Sequence, residues 1–300
     1  MISERGKHLV LSCLGYFLYG ILLFAFFVYL NFPYEQVRHH LLNSLGRRGG
    51  DLQVDISQIS PALPLSFAFR DLQVARRDAD QPVPLLQIQE MRTRPQLLPL
   101  LHGKAGVRFH AVLYGGEISG EAELSLWGNG ARRLSVQAQL QELNLQRYTP
   151  LSLLYKITPR GTLAGEISLS APLQRWIEGE GEAVLTIKGG SLEGITVFHI
   201  PLPPLEYDEL YSELSLAQKR LRINKLRLQG RQINAGIDGK ILLNDPLETS
   251  TLDLTVRLRI AGALEQQFAP LRALLKGRRD RRGFLSFHIR GSLQRPRLSL

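Results

Sequence analysis

The chain has 300 residues, 44% of them hydrophobic and 21% charged, a globular balance that excludes general disorder. A formal net charge of +10 and a pI near 9.9 point to anionic surroundings or partners. The single cysteine, Cys13, excludes an internal disulfide framework and any multi-cysteine metal centre.

The first element is "LVLSCLGYFLYGILLFAFFVYL", residues 9–30, which carries no charge. At about 1.5 Å per residue it spans roughly 33 Å, close to the thickness of a bilayer's hydrocarbon core. It exceeds the apolar region of a cleavable signal peptide, and no small-x-small cleavage site follows it. The expectation is an uncleaved transmembrane signal anchor. Arg5 and Lys7 precede the span, so residues 1–8 form a cytoplasmic tail and the bulk of the chain is exported. In a bacterium this is a single-pass inner-membrane protein with its main domain in the periplasm.

Residues 31–50 read as a membrane-proximal helix and linker. Within them "PYEQVRHHLLNSLG" has Pro33 at the first helical position and an apolar stripe of Tyr34, Val37, Leu41 and Leu45.

From residue 51 to 300 the period is that of strands. "DLQVDISQI" alternates through Leu52, Val54 and Ile56, and "PLSFAFRDLQVAR" offers Phe67 and Phe69, then Leu72 and Val74. "GVRFHAVLYGGEISGEAELSL" predicts a hairpin turning at Gly115-Gly116. "LSVQAQLQ" sets Leu134, Val136 and Leu140 on one side, and "TLDLTVRLRI" does the same with Leu252, Leu254, Val256, Leu258 and Ile260. Short helices are predicted in "QLLPLLHG", "YTPLSLLYKI" and "LEQQFAPLRALLKG". The proline-rich "HIPLPPLEYDEL" reads as a stiff connector between strands with Leu205 and Tyr207 exposed, either a plain loop or a docking edge.

The fold class is therefore mainly β: a transmembrane helix, then a curved antiparallel sheet, trough or open barrel, with few short helices. Too few helices exist to cover so many half-apolar strands. Leu134, Val136, Leu140, Leu252, Leu254, Val256, Leu258 and Ile260 are the candidate apolar groove. They either pack against an opposite wall of the same sheet or hold acyl chains.

The residues carry no recognisable catalytic signature. The seven histidines include no i, i+4 pair, and there is no G-x-S-x-G, P-loop or H-E-x-x-H. His110 and His288 fall on the polar phase of their strands, and Glu178, Glu180 and Glu182 read as a solvated edge. No enzyme activity, metal or cofactor is expected. Arginine clusters at turns, among them Arg47 and Arg48, and Arg278, Arg279, Arg281 and Arg282, are either plain solvated turns or contacts for lipid headgroups or an acidic partner. Nucleic acid is not an expected partner, because aromatic platforms and a groove-entering helix are missing.

The order of pieces then adds a resemblance. The anchor, "FPYEQVRHHLLNSLG", "FAFRDLQVAR", "QLLPLLHGKA", "FHAVLYGGEISGEAEL" and "IDGKILLNDPLETSTLDLTVRL" lead to a closing "GFLSFHIRGSLQRPRLSL". This resembles the type II secretion system protein N (GspN) family in its single-anchor form, and the wider AsmA-like superfamily. Members of that superfamily often close on a G-[ST]-L-x-x-P element, here Gly291, Ser292, Leu293 and Pro296. The resemblance implies a β-rich periplasmic domain in an accessory part of the machine that exports folded proteins, with other secretion components as partners. Its AsmA-like side implies a hydrophobic β-groove and phospholipid as ligand.

Overall fold

The computed structural model of the chain describes Gly20 and residues 52–62, 66–77, 82–126, 132–194, 196–197, 200–201, 203–231, 233–260 and 283–299. Among the described residues no helix is long and apolar enough to cross a membrane. Apart from Gly20, the expected anchor at 9–30 lies outside them. So do the membrane-proximal segment with Arg47 and Arg48, the expected helix in "LEQQFAPLRALLKG", and Arg278, Arg279, Arg281 and Arg282.

The alternating segments form the strands β1 (Leu52–Ala62), β2 (Ser66–Arg77), β3 (Pro82–Gln96), β4 (Lys104–Leu113), β5 (Gly116–Ser125), β6 (Arg133–Asn144), β7 (Thr158–Pro172) and β8 (Glu180–Glu193). A two-residue pair, β9 (Thr196–Val197) and β10 (Ile200–Pro201), stands apart. The series resumes with β11 (Leu205–Ala217), β12 (Arg220–Gln229), β13 (Ile233–Leu242), β14 (Thr251–Ile260), β15 (Leu285–Ser292) and β16 (Pro296–Ser299). Leaving out the small pair, 14 strands make one antiparallel sheet in strict chain order. β1 does not pair with β16, so the sheet is open, a meander with two edges. Pro296 begins the edge strand β16, where a missing backbone donor costs no ladder bond.

Two hairpins turn in two residues. Leu113 pairs with Gly116, so the β4–β5 turn is Tyr114-Gly115, with φ of 52° and 78°. Positive φ at both central positions is the I′ geometry that suits twisted strands. The turn lies one residue before the expected Gly115-Gly116. Gly116 belongs to β5, where a Cβ would meet the backbone of Gln141 and Glu142. Ala217 likewise pairs with Arg220 around Gln218-Lys219, with φ of 49° and 65° and no glycine.

The apolar phase shifts across a positive-φ residue in β2, β6 and β8; in β6 it passes from Leu140 to Leu143 across Glu142, whose φ is 53°. In β2 the apolar phase passes from Phe69 to Leu72 across Asp71, whose φ is 48°. In β8 it passes from Ile187 to Leu192 across Gly189, at φ 56°. The shift in β8 overturns one expectation. Leu205 and Tyr207 are buried with Leu228 and Ile233, packed on by Leu210 and Ile187, and do not form an exposed edge. Positive-φ steps thus keep long strands amphipathic on a twisted sheet.

Helix is sparse. "QLLPLLHG" is a 3-10 turn over Leu98–His102, ended by Gly103. "YTPLSLLYKI" gives one short helix, α1 (Pro150–Tyr155), with proline at its start. α1 contacts both β3 and β7. In a flat sheet these strands stand about 19 Å apart, and a six-residue helix is only about 9 Å long. The sheet therefore curls at this end, where Tyr114 and Tyr148 meet edge to face at 5.5 Å.

Candidate functional site

One row of pairings crosses the apolar side. It runs from Leu140 through Gly165, Leu185, Ser212, Leu226 and Ile237 to Val256. The two sequence-selected groups, Leu134, Val136 and Leu140 on β6 and Leu252 to Ile260 on β14, thus lie on the same face. They do not form one site: six strand steps, about 29 Å, separate them.

Burial on this face is uneven. Leu140, Leu252 and Val256 are buried, whereas Leu134, Val136, Leu254, Leu258 and Ile260 are half-buried. Two buried clusters organise it. One joins Ala111, Leu113, Leu140 and Leu143, with Leu163 and Ile167 against them; the other joins Leu205, Tyr207, Leu228 and Ile233. Each cluster runs along neighbouring strands. The other sheet among the described residues is the two-stranded β9–β10 pair.

Tyr207 anchors the second cluster by donating its hydroxyl to the Arg160 carbonyl at 3.1 Å, and burial pushes its phenol pKa up. The Tyr114 phenol is also raised, first by burial; its oxygen accepts from the Gln87 backbone N–H at 3.0 Å. Both phenols stay neutral over the physiological range. The neighbouring Tyr148 adds a smaller upward push to Tyr114.

A cavity of about 950 Å³ lies on the opposite, polar side of β1 to β8. The expectation placed a groove on the apolar side, and sequence reading missed this basin. Strand twist makes the polar side concave here. Arg92, Arg94 and Arg108 line one flank, and Glu121, Gln139 and Glu166 the other. Much of its charge is already paired: Arg92 meets Glu90 at 2.8 Å, and Arg108 meets Glu121 at 3.9 Å. Gln139 donates to Glu166 at 3.2 Å. The only sequence signal for the basin is the polar phase of β3 to β8.

His110 and His288 are exposed on this side as expected, His110 at 3.7 Å from Glu117 and His288 at 3.2 Å from the Thr255 hydroxyl. Glu178 meets Arg175 at 3.3 Å and Lys219 at 3.2 Å, while Glu180 and Glu182 are exposed. Among the described residues no group of three or more His, Cys, Asp or Glu is arranged to hold a metal ion.

Charge divides the polar face along the sheet. β5, β7, β8 and β11 carry Glu117, Glu121, Glu166, Glu182, Glu209 and Glu213 on that side, with Lys188 as a cation among them. β12 to β16 carry Arg222, Arg227, Lys240, Arg257, Arg290 and Arg297 there, with Asp238 and Asp253 as the acids. No protein-family model, curated protein or solved structure matches the chain.

Proposed function

We propose that the protein is a non-enzymatic, inner-membrane-anchored component of a type II secretion apparatus, built on a periplasmic β-sheet of the AsmA-like kind. The observation that carries this reading is the architecture. Among the described residues fourteen strands follow one another in a single open sheet, with β1 and β16 as its edges and a mainly apolar side. Such a sheet offers long surfaces for partners. The order of sequence pieces that resembles the GspN family supplies the secretion context.

The test is in-cell cross-linking of the tagged full chain, followed by purification from membranes. Recovery of other type II secretion components supports the proposal. A tag that preserves function but recovers none of them refutes it.

A second reading is favoured by one observation, the half-buried Leu134, Val136, Leu254 and Leu258 on the apolar side of the large sheet. In this reading the apolar side holds phospholipid acyl chains. Mass spectrometry of organic extracts from the purified protein decides it. Stoichiometric phospholipid favours the lipid groove, and its absence from folded protein removes it.

A further inference from the structure

The exposed large apolar side chains gather on one rim. In an antiparallel meander alternate connections lie at the same end of the sheet. The β3–β4, β5–β6, β7–β8, β11–β12, β13–β14 and β15–β16 connections therefore share one end. The β3–β4 connection presents Leu97, Leu98, Leu100 and Leu101, with Leu98 and Leu101 at 77% and 78% exposure. Leu126 follows at the end of β5. Leu173 and Trp176, the latter 48% exposed, stand between β7 and β8. Leu242 and Leu247 occupy the β13–β14 corner, and Leu293 the last turn. Of the exposed large apolar side chains among the described residues, only Leu153 and Val184 lie elsewhere.

Cations flank these tips. Lys104, Arg132, Arg175, Lys219, Arg220 and Arg295 are exposed beside them. These connections carry three carboxylates, Glu178, Asp245 and Glu248, against the six cations; Glu178 is held by Arg175 and Lys219. The rim is thus leucine and tryptophan at the tip with a net positive charge just behind.

We propose that this rim rests on the surface of an anionic phospholipid bilayer, its leucine and tryptophan tips entering the interface and its arginines and lysines meeting phosphate. Two features choose a bilayer over a protein partner. The apolar residues form a line over eleven strand steps, roughly 50 Å, where a protein interface gathers them into a compact patch. Apolar tips backed by cations also match the chemistry of the membrane interface, where Trp and basic residues are favoured. β1 begins at the opposite end of the sheet, so the rim points away from the place where the chain enters it. The inference does not require the secretion reading or a lipid-filled apolar side.

The test uses the full chain with Trp127→Phe, which leaves Trp176 as the sole tryptophan. It is reconstituted in vesicles of phosphatidylcholine and phosphatidylglycerol brominated near the carbonyl end of the acyl chains. A second arm holds the chain in unbrominated vesicles and adds a brominated population, which distinguishes the chain's own bilayer from another. Quenching of Trp176 in either arm, weakened by salt or by omitting phosphatidylglycerol, is the expected result. Leu98→Ser with Leu101→Ser, both at exposed positions, weakens the contact about ten-fold or more. No quenching in both arms, or quenching indifferent to the two leucines, overturns the proposal. A rim that binds only protein gives the first of these results.

Discussion

The Tyr207 hydroxyl donates to the Arg160 carbonyl at 3.1 Å across 47 positions of sequence. It fastens β11 to β7 over the intervening β8, at the level where Gly189 reverses the pleat. A Cβ on Gly190 would strike the Tyr207 ring, so this ring fills the space that a glycine leaves. Tyr207→Phe keeps the ring and removes the hydrogen bond to the Arg160 carbonyl, and it is expected to cost about 1 kcal/mol. Tyr207→Ala also opens a void and costs about 3 kcal/mol or more. Urea unfolding of the two variants measures both.

The same phenol sets an alkaline limit. Burial raises its folded pKa above the value near 10 of a free tyrosine, and Tyr114 behaves alike. Between the unfolded and folded pKa the unfolded chain has lost protons that the folded one keeps, so stability falls as pH rises. The contribution is complete below about pH 10 and is lost as pH climbs through the folded pKa. Phenolate absorbance against pH, compared with Tyr207→Phe, should show a late-titrating group vanish. The wild type should also show a steeper loss of stability above pH 10.

The two I′ turns make opposite predictions. Gly115 sits at φ 78°, so Gly115→Val is expected to destabilise by about 1–2 kcal/mol through backbone strain. Gln218 holds φ 49° with a side chain, so Gln218→Gly relieves strain there and should gain a few tenths of a kcal/mol. Thermal melts that move both variants in one direction contradict this account.

Strand phase was legible because one face repeats every second residue, as in "TLDLTVRLRI". Even the break between Phe69 and Leu72 was visible, although the backbone step at Asp71 behind it was not. What stayed hidden depends on pairing. Leu205 and Tyr207 looked exposed because the reversal that buries them is set by Gly189 on a neighbouring strand. The leucines of "QLLPLLHG" read only as part of a short helix. Only the strand order places them on the same rim as Trp176 and Leu293. The polar basin needs the twist as well, which no alternation of residue types reports.

A charge at the centre of the apolar row separates packing from lipid holding. Val256 is 7% exposed and lies between Ile237 and Phe287 on the adjoining strands. Val256→Asp is therefore expected to unfold β13 to β15, since a buried unpaired carboxylate costs several kcal/mol. Val136 is half-buried, so Val136→Ser costs about 1 kcal/mol and keeps the sheet. Circular dichroism together with lipid content read on both variants is the check. Lost lipid in folded Val136→Ser supports an occupied face, whereas a folded Val256→Asp contradicts the burial argument.

Asp253 offers a last test, this time of the polar face. Its carboxylate takes Lys240 at 3.5 Å and Arg290 at 3.3 Å. The pairings place it in a row that reads Arg222, Lys240, Asp253, Arg290, Arg297 across five strands. One carboxylate thus separates two cations on either side. Directly opposed like charges destabilise a sheet, and Asp253→Asn removes the only compensating charge in that row. Both ion pairs are partly exposed, so their own worth is small, at about 0–1 kcal/mol. The larger share of the loss comes from uncompensated repulsion and is screened by salt over about 10 Å at 0.1 M. The expected result is a loss of about 1 kcal/mol at low ionic strength that mostly disappears near 1 M salt. A loss independent of salt would point instead to the hydrogen bond from the Arg290 guanidinium.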